Sequence, residues 1–413
     1  MIIIECGLFG SYILLRLYCN KNKLDIALLF YIYWFFFLSI GVIGYQKIYP
    51  ISSNCIMWII FVCVLFDLGY YIGKNCRFGK KKIYKPSFPL YCEKKLTLKL
   101  FSFLRFCFAS VIVYKLMFAF FSGNIVSLFS PKTLLETFSN YRDIKYGIEE
   151  SNVSIGGIGR LFDFLYFPAI YLLGYRYRLF LKEQKKILTI LFLISVFLST
   201  ITDGAKSTVI FSLVLFFAGF IVDSMYKGGI AIKKVNYKLI FVIVAVFLVS
   251  MQILMEKSKS DFFTYGFGEI PAFNSFFNTY DEKLTYGKQT FYGIVRLLSP
   301  ETMFSGNETN YSLPSNINIL TNIYTAYRCS ITDFGVIGGE LFYFFMGSIS
   351  GLCISNIKKE LISFSILGWI LGYIMLSFLI SIGYYFTISV SFFLAAVYLF
   401  MIKKINFKIV KNI

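Results

Sequence analysis

Residues 51–73 read ISSNCIMWIIFVCVLFDLGYYIG, and the chain then turns abruptly basic with Lys74, Arg77, Lys80, Lys81, Lys82, Lys85, Lys94, Lys95 and Lys99. An apolar run of this length crosses about 30 Å of hydrocarbon as a helix. Basic residues crowd the cytoplasmic flank of such a span. The same alternation repeats outward in both directions, giving eleven predicted spans at 2–18, 24–44, 51–73, 100–121, 157–180, 187–201, 206–224, 239–256, 331–356, 361–381 and 386–402. With 57% hydrophobic residues, 20% aromatic residues and a mean hydropathy of +0.69, the chain reads as an all-α polytopic membrane protein. A soluble domain cannot hide that many long apolar runs. Glu5 and Arg16 lie inside the first run, and no small-residue cleavage site follows it. The run is therefore read as a retained helix and not as a signal peptide.

Basic clusters mark alternate connections: Lys21 and Lys23, then 74–99, then Lys182, Lys185 and Lys186, then Lys227, Lys233, Lys234 and Lys238. Lys358 and Lys359, and Lys403, Lys404, Lys408 and Lys411, complete the series. The positive-inside rule puts the N-terminus outside and the C-terminus in the cytoplasm. The net charge of +19 is then a topology signal and an affinity for anionic lipid headgroups, with no nucleic acid implied. Residues 1–413 are expected to form one integral membrane domain with two sizeable external connections, 122–156 and 257–330.

The second connection, 257–330, is the long polar interval of the chain. Its six basic residues balance six acidic ones, and its aromatics are too many for disorder. Loops longer than about 12–15 residues are usually functional or disordered, so this one, with short helices of its own, is read as the working part. It contains Glu269-Ile270-Pro271-Ala272-Phe273 and Thr290-Phe291-Tyr292-Gly293-Ile294-Val295-Arg296, and leads through Tyr324 to Thr332-Asp333-Phe334-Gly335.

No histidine occurs, which removes Ser-His and Cys-His nucleophiles and His-metal sites. The nine cysteines lack CxxC spacing and read as small buried hydrophobes. No DxD pair or other metal cluster stands out, so no metal or cofactor is expected. The informative residues are cations near the external ends of spans: Arg142, Arg160, Lys206, Arg296 and Arg328. A cation at the start of an apolar run costs up to about 2.5–3.5 kcal/mol on insertion scales unless it faces something polar. Arg offers a planar fork to phosphate oxygens, Lys a point charge. Lys206 follows the tight turn Thr202-Asp203-Gly204-Ala205, where it is either turn chemistry or a phosphate contact beside a helix start. Asp333 is expected to cap the ninth span or to pair with an external Arg. Gly335, Gly338 and Gly339, and the GxxxG of Gly347 and Gly351, are expected to permit close helix packing. Asp143, Glu149, Glu150, Glu269, Asp281 and Glu282 are candidate general bases, with none singled out.

With these residues in view, the chain resembles the O-antigen polymerase family, the Wzy-type oligosaccharide repeat-unit polymerases. The carrying segments are Tyr141-Arg142, Gly156–Arg160, Gly204-Ala205-Lys206-Ser207, Ile270–Phe273, Thr290–Arg296, and Asn322-Ile323-Tyr324-Thr325 leading to Asp333-Phe334-Gly335-Val336-Ile337-Gly338, in order across about residues 100–350. Lys206 departs from the Arg seen in many members. The resemblance implies a GT-C-like architecture in the bacterial cytoplasmic (inner) membrane and a metal-independent, inverting glycosyl transfer at its outer face. Donor and acceptor would be polyprenyl (undecaprenyl) diphosphate-linked oligosaccharides. A chain-length regulator and a flippase are the implied protein partners. Arg142, Arg160, Lys206, Arg296 and Arg328 would stabilise the diphosphate, with Tyr141, Glu269, Tyr292, Tyr324 and Asp333 binding substrate. A lipid-linked oligosaccharide flippase and an O-antigen ligase-type transferase are the competing readings.

Overall fold

A computed structural model describes residues 2–20, 23–45, 51–76, 90–121, 157–203, 207–226, 230–231, 268–281, 283–298, 311–312, 320–321, 325–356 and 361–410. Helices dominate: α1 Ile2–Cys19, α2 Ile26–Tyr45, α3 Ser53–Asn75, α4 Leu90–Phe121, α5 Gly157–Arg176, α6 Lys182–Asp203, α7 Ser207–Tyr226, α8 Glu269–Thr279, α9 Tyr292–Leu298, α10 Ala326–Asn356, α11 Leu361–Leu376 and α12 Phe386–Val410. Two antiparallel two-residue ladders join β1 (Lys23–Leu24) to β2 (Ile230–Ala231), and β3 (Tyr311–Ser312) to β4 (Leu320–Thr321). Among the described residues, seven helices are long and apolar enough to cross a membrane: α1, α2, α3, α4, α6, α7 and α10. The apolar parts of α11 and α12 are shorter. The chain is an all-α, multi-pass membrane protein.

Six of the ten expected spans that fall on described residues differ from these helices by four residues or more at one end. The fourth begins earlier, at Leu90, the sixth earlier, at Lys182, and the eleventh runs on to Val410. The span at 157–180 becomes α5, which carries Pro168 in its interior and gives way to a single 3-10 turn, Tyr177–Leu179. The ninth span starts earlier than 331, because α10 begins at Ala326. The tenth stops at Leu376 and is followed by a 3-10 turn, Ile382–Tyr384. The span at 239–256 and the connection 122–156 lie outside the described residues.

The chain forms two compact units of interleaved segments. The first comprises Met1–Gly79, Ser224–Val242 and Met255–Ser389; the second comprises Lys80–Asp223, Ile243–Leu254 and Val390–Ile413.

In the first unit, α3 and α10 run side by side in the same direction. Gly69 meets the backbone at Phe344, Gly73 at Ser348, Gly347 at Phe66 and Gly351 at Tyr70. Both numbers in each pair rise together, so the helices are parallel. Four glycines on one seam remove the Cβ atoms that would hold the backbones apart, and a Cβ at any of them would overlap the facing carbonyl oxygen. The close approach also brings Cα–H groups against carbonyl oxygens, each contact worth about 0.5–1 kcal/mol. Gly347 and Gly351 thus have the packing role expected of them.

Gly335 does not. It takes φ 77° and ψ 175° and breaks α10 instead of packing it. Gly339 has only ordinary contacts, with Ile331 Cγ1 and Ser330 Oγ each 3.5 Å from a built Cβ.

Polar contacts fix the direction of the remaining helices of this unit. Arg16 Nη2 lies 2.5 Å from Asp67 Oδ1 and 3.9 Å from Asp25 Oδ2. Tyr12 donates to Asp67 Oδ2 at 2.9 Å, and the Leu28 amide donates to Asp25 Oδ1 at 2.9 Å, which caps α2. At the other end the Ser53 hydroxyl bonds Glu5. Hence α1, α3 and α10 share one direction and α2 opposes them. The β1–β2 ladder ties together two of the basic connections, consistent with their lying on one side.

In the second unit, α5 and α7 repeat the parallel arrangement. Gly174 meets the backbone at Phe216, Gly219 meets it at Tyr171, and the Tyr166 and Ser212 hydroxyls lie 3.4 Å apart.

Gly347→Ala should destabilise the protein by about 1–3 kcal/mol through overpacking. Gly339→Ala should be neutral or stabilising by up to about 1 kcal/mol through helix propensity. Thermal unfolding of the two variants in the same detergent checks the contrast.

Candidate functional site

The described part of the long polar interval folds back onto one end of the first unit, where α3 and α10 begin and α2 ends. Helix α8 forms because Ile270, Phe273 and Phe276 recur at helical spacing, and Pro271 falls in the first turn, where a missing N–H costs nothing. Its inner face is buried. Ile270 sits on the bare backbone of Gly41, and Phe273 contacts Trp58 of α3 and Tyr327 of α10. Asn274 Oδ1 accepts from the Ser52 amide at 2.9 Å and the Ser52 hydroxyl at 2.7 Å. That hydroxyl in turn accepts from the Cys55 amide, capping α3. One serine therefore joins the start of a span to the loop helix.

Asp333 organises the next segment. It is fully buried. Its Oδ1 accepts from the Gln289 amide at 2.9 Å and from the Thr285 hydroxyl, and its Oδ2 from the Thr290 amide at 2.6 Å. The Thr285 and Tyr286 amides donate to the carbonyls of Thr332 and Asp333 at 3.0 and 3.1 Å. The expectation that Asp333 caps the ninth span is corrected: Asp333 lies inside α10, just before the break at Gly335, and it caps the turn that leads into α9 from another element. Backbone amides on a carboxylate are charge-assisted and strong, which lets the loop hold the left-handed residues Tyr286 and Gly287 at φ 50° and 86°. Helix α9 then docks on the 3-10 turn at 382–384, with Ser381 Oγ donating to the Thr290 carbonyl at 2.7 Å.

Glu269 is unlike its neighbours. It opens α8, has no exposed surface, and neither carboxyl oxygen has a hydrogen-bond partner among the described residues. Burial pushes its carboxyl well above the usual carboxylate range. The hydroxyls of Thr290 and Thr325 are likewise buried without partners among the described residues. Arg328 stands in the first turn of α10 with its guanidinium carbon 5.5 Å from the centre of the Phe276 ring. Glu269 and Arg328 are therefore held by the same loop helix, on its first and second turns.

Other expected site residues are placed differently. Tyr292, expected to bind substrate, is half-buried and stacked on Tyr384 at 4.7 Å and 17°, so one face of its ring serves packing. Arg160 lies in the first turn of α5 and Arg296 in α9, but their side chains are outside the described set. Tyr141, Arg142, Lys206 and Tyr324 lie outside the described residues altogether. Arg296 and Arg328 belong to the first unit, Arg142, Arg160 and Lys206 to the second.

Two features escaped the sequence reading. One is the Arg16–Asp67–Asp25 network. The other is Lys115 of α4, 6% exposed, with its Nζ 5.6 Å from the Tyr114 ring, which stacks on Phe162 of α5 at 4.3 Å. The signal for each was a lone charge inside an apolar run, which by default marks a polar pairing or a working site.

Fold and site together define a multi-pass helical membrane protein whose main polar interval is built into one end of a helix bundle. No protein-family model matches the chain, nor does any curated protein or any solved structure.

Asp333→Ala should release 285–291 from α10 and leave two amides uncapped, costing about 2–4 kcal/mol from the loss of two or three hydrogen bonds to a charged group. Asp333→Asn, which keeps one acceptor oxygen, should lose less. Limited proteolysis within 283–291, followed against the unaltered protein, checks the order.

Proposed function

We propose that this chain is a polysaccharide polymerase that joins polyprenyl-diphosphate-linked oligosaccharide repeat units at the outer face of the bacterial cytoplasmic membrane. The observation that carries the reading is the docking of α8 on the starts of α3 and α10, with Glu269 and Arg328 along it. A glycosyl transfer between two lipid-linked substrates needs a site at the membrane boundary, shielded from water. It also needs fixed cations where the leaving diphosphate gains charge. Arg328 and, in α9, Arg296 of the first unit are assigned that role. The sequence resemblance points the same way, and the reaction needs no metal.

A flippase is the second reading, and the break in α10 at Gly335 favours it, because transporters bind their cargo at interrupted helices. Against it, the carboxylate beside that break already takes three hydrogen bonds from the protein's own loop. A ligase-type transferase is disfavoured by the absence of histidine from the chain.

The test uses purified protein in nanodiscs, supplied with the lipid-diphosphate repeat units that accumulate in cells deleted for this chain, with chelator present. A ladder of lipid-linked oligomers is expected, reduced about 10²-fold or more in Arg328→Ala. Repeat units that cross the bilayer without being joined would replace the polymerase by the flippase.

A further inference from the structure

Transfer to a sugar hydroxyl requires that its proton leave as the new bond forms, and chemistry of this kind uses a positioned base. The carboxylates of the polar interval are distinguishable on this criterion. Asp281 is exposed and lies 3.9 Å from Lys283, a solvated pair at the surface. Asp333 is consumed by the loop it holds. At the same end of the unit, Glu5 is engaged by Ser53. Glu340 of α10 is engaged by Trp58 of α3, whose ring packs on Phe273 of α8. Glu269 alone among the described carboxylates of this end combines complete burial with two oxygens that take no hydrogen bond from another described residue.

A buried polar group without a partner costs on the order of 1–3 kcal/mol, and native proteins keep few of them. A helix that only had to pack would gain by placing an apolar residue at this position, since Ile270, Phe273 and Phe276 already supply its buried face. The unsatisfied carboxyl is therefore explained by something that binds it transiently.

We propose that Glu269 is the general base that receives the proton of the acceptor hydroxyl. This assignment rests on the polymerase reading above. The proton passes to Glu269 while the acceptor oxygen bonds to the anomeric carbon of the donor. The bond from that carbon to the diphosphate breaks on the opposite face, and its electron pair leaves with the polyprenyl diphosphate. Glu269 afterwards returns the proton to water. Access needs α8 to lift from α2, where the contact is Ile270 on Gly41. Lifting hydrates the carboxyl and lets it ionise. Reclosure over the acceptor removes water and raises the basicity of the carboxylate, the same burial effect that lifts its pKa in the closed structure.

The test compares unaltered protein with Glu269→Gln in nanodiscs, using the same lipid-linked repeat units with and without azide. Azide attacks an anomeric carbon without having a proton to lose. Glu269→Gln is expected to lower oligomer formation about 10²-fold or more, within the range of general-base effects, yet to form glycosyl azide at near the unaltered rate. Oligomers at the unaltered rate in Glu269→Gln would overturn the assignment. Loss of both oligomers and glycosyl azide would overturn it in favour of a structural role. If the unaltered protein forms neither product, the polymerase reading fails and the assignment fails with it.

Discussion

The contact on which the first unit depends is the glycine seam between α3 and α10. Gly69 and Gly73 face Gly347 and Gly351 across it, and the helices run parallel with their backbones touching. Little hydrophobic force acts between helices in lipid, so close backbone approach and good packing supply the attraction. The seam sets the level of Ser52, and the break at Gly335 turns the first segment of α10 back against the second, with Tyr327 meeting Tyr343 and facing Trp58 of α3. α8 closes over Ser52 and that first segment through Asn274, Phe273 and Arg328. A shift of the seam by one turn would separate these partners.

Polar groups are distributed unevenly along this framework. At the far end, Arg16, Asp25, Asp67 and Tyr12 satisfy one another, which a charge in an apolar setting requires. At the loop end, Asp333 is saturated by backbone amides and a hydroxyl, and it fixes the turn before α9. Glu269, one helix away, takes no hydrogen bond from another described residue. The first carboxylate holds the loop in place, and the second is the one proposed to meet a substrate.

Much of this architecture was legible in the residues. The runs at 2–18, 24–44 and 51–73 are α1, α2 and α3 to within a few residues, because apolar length and basic flanks are set locally. The GxxxG of Gly347 and Gly351 was readable for the same reason, although its partner seam at Gly69 and Gly73 became visible only through tertiary contact. Asp333 was misread as a cap of its own helix. Its donors lie 43–48 positions away in the chain, and no local pattern announces them. Tyr292 was read among the substrate-binding residues, and the stacking of one face of its ring on Tyr384 has no local signature. Glu269 was one of six carboxylates with none singled out; of the two that lie among the described residues, Asp281 is exposed and Glu269 is buried. Lys115 and Arg16 were open to detection as lone charges within apolar runs, and the balance of positive loops drew the reading elsewhere.

The central claim is that the docked interval faces the outside of the membrane, where lipid-linked repeat units are joined. Tyr286 is 79% exposed and sits at the tip of the loop held by Asp333, which makes it a reporter of sidedness. The measurement is labelling of Tyr286→Cys, in a variant lacking the native cysteines, by a membrane-impermeant thiol reagent added to intact spheroplasts. The account predicts full labelling without permeabilisation. Labelling only after the membrane is opened would place the interval in the cytoplasm and contradict the account.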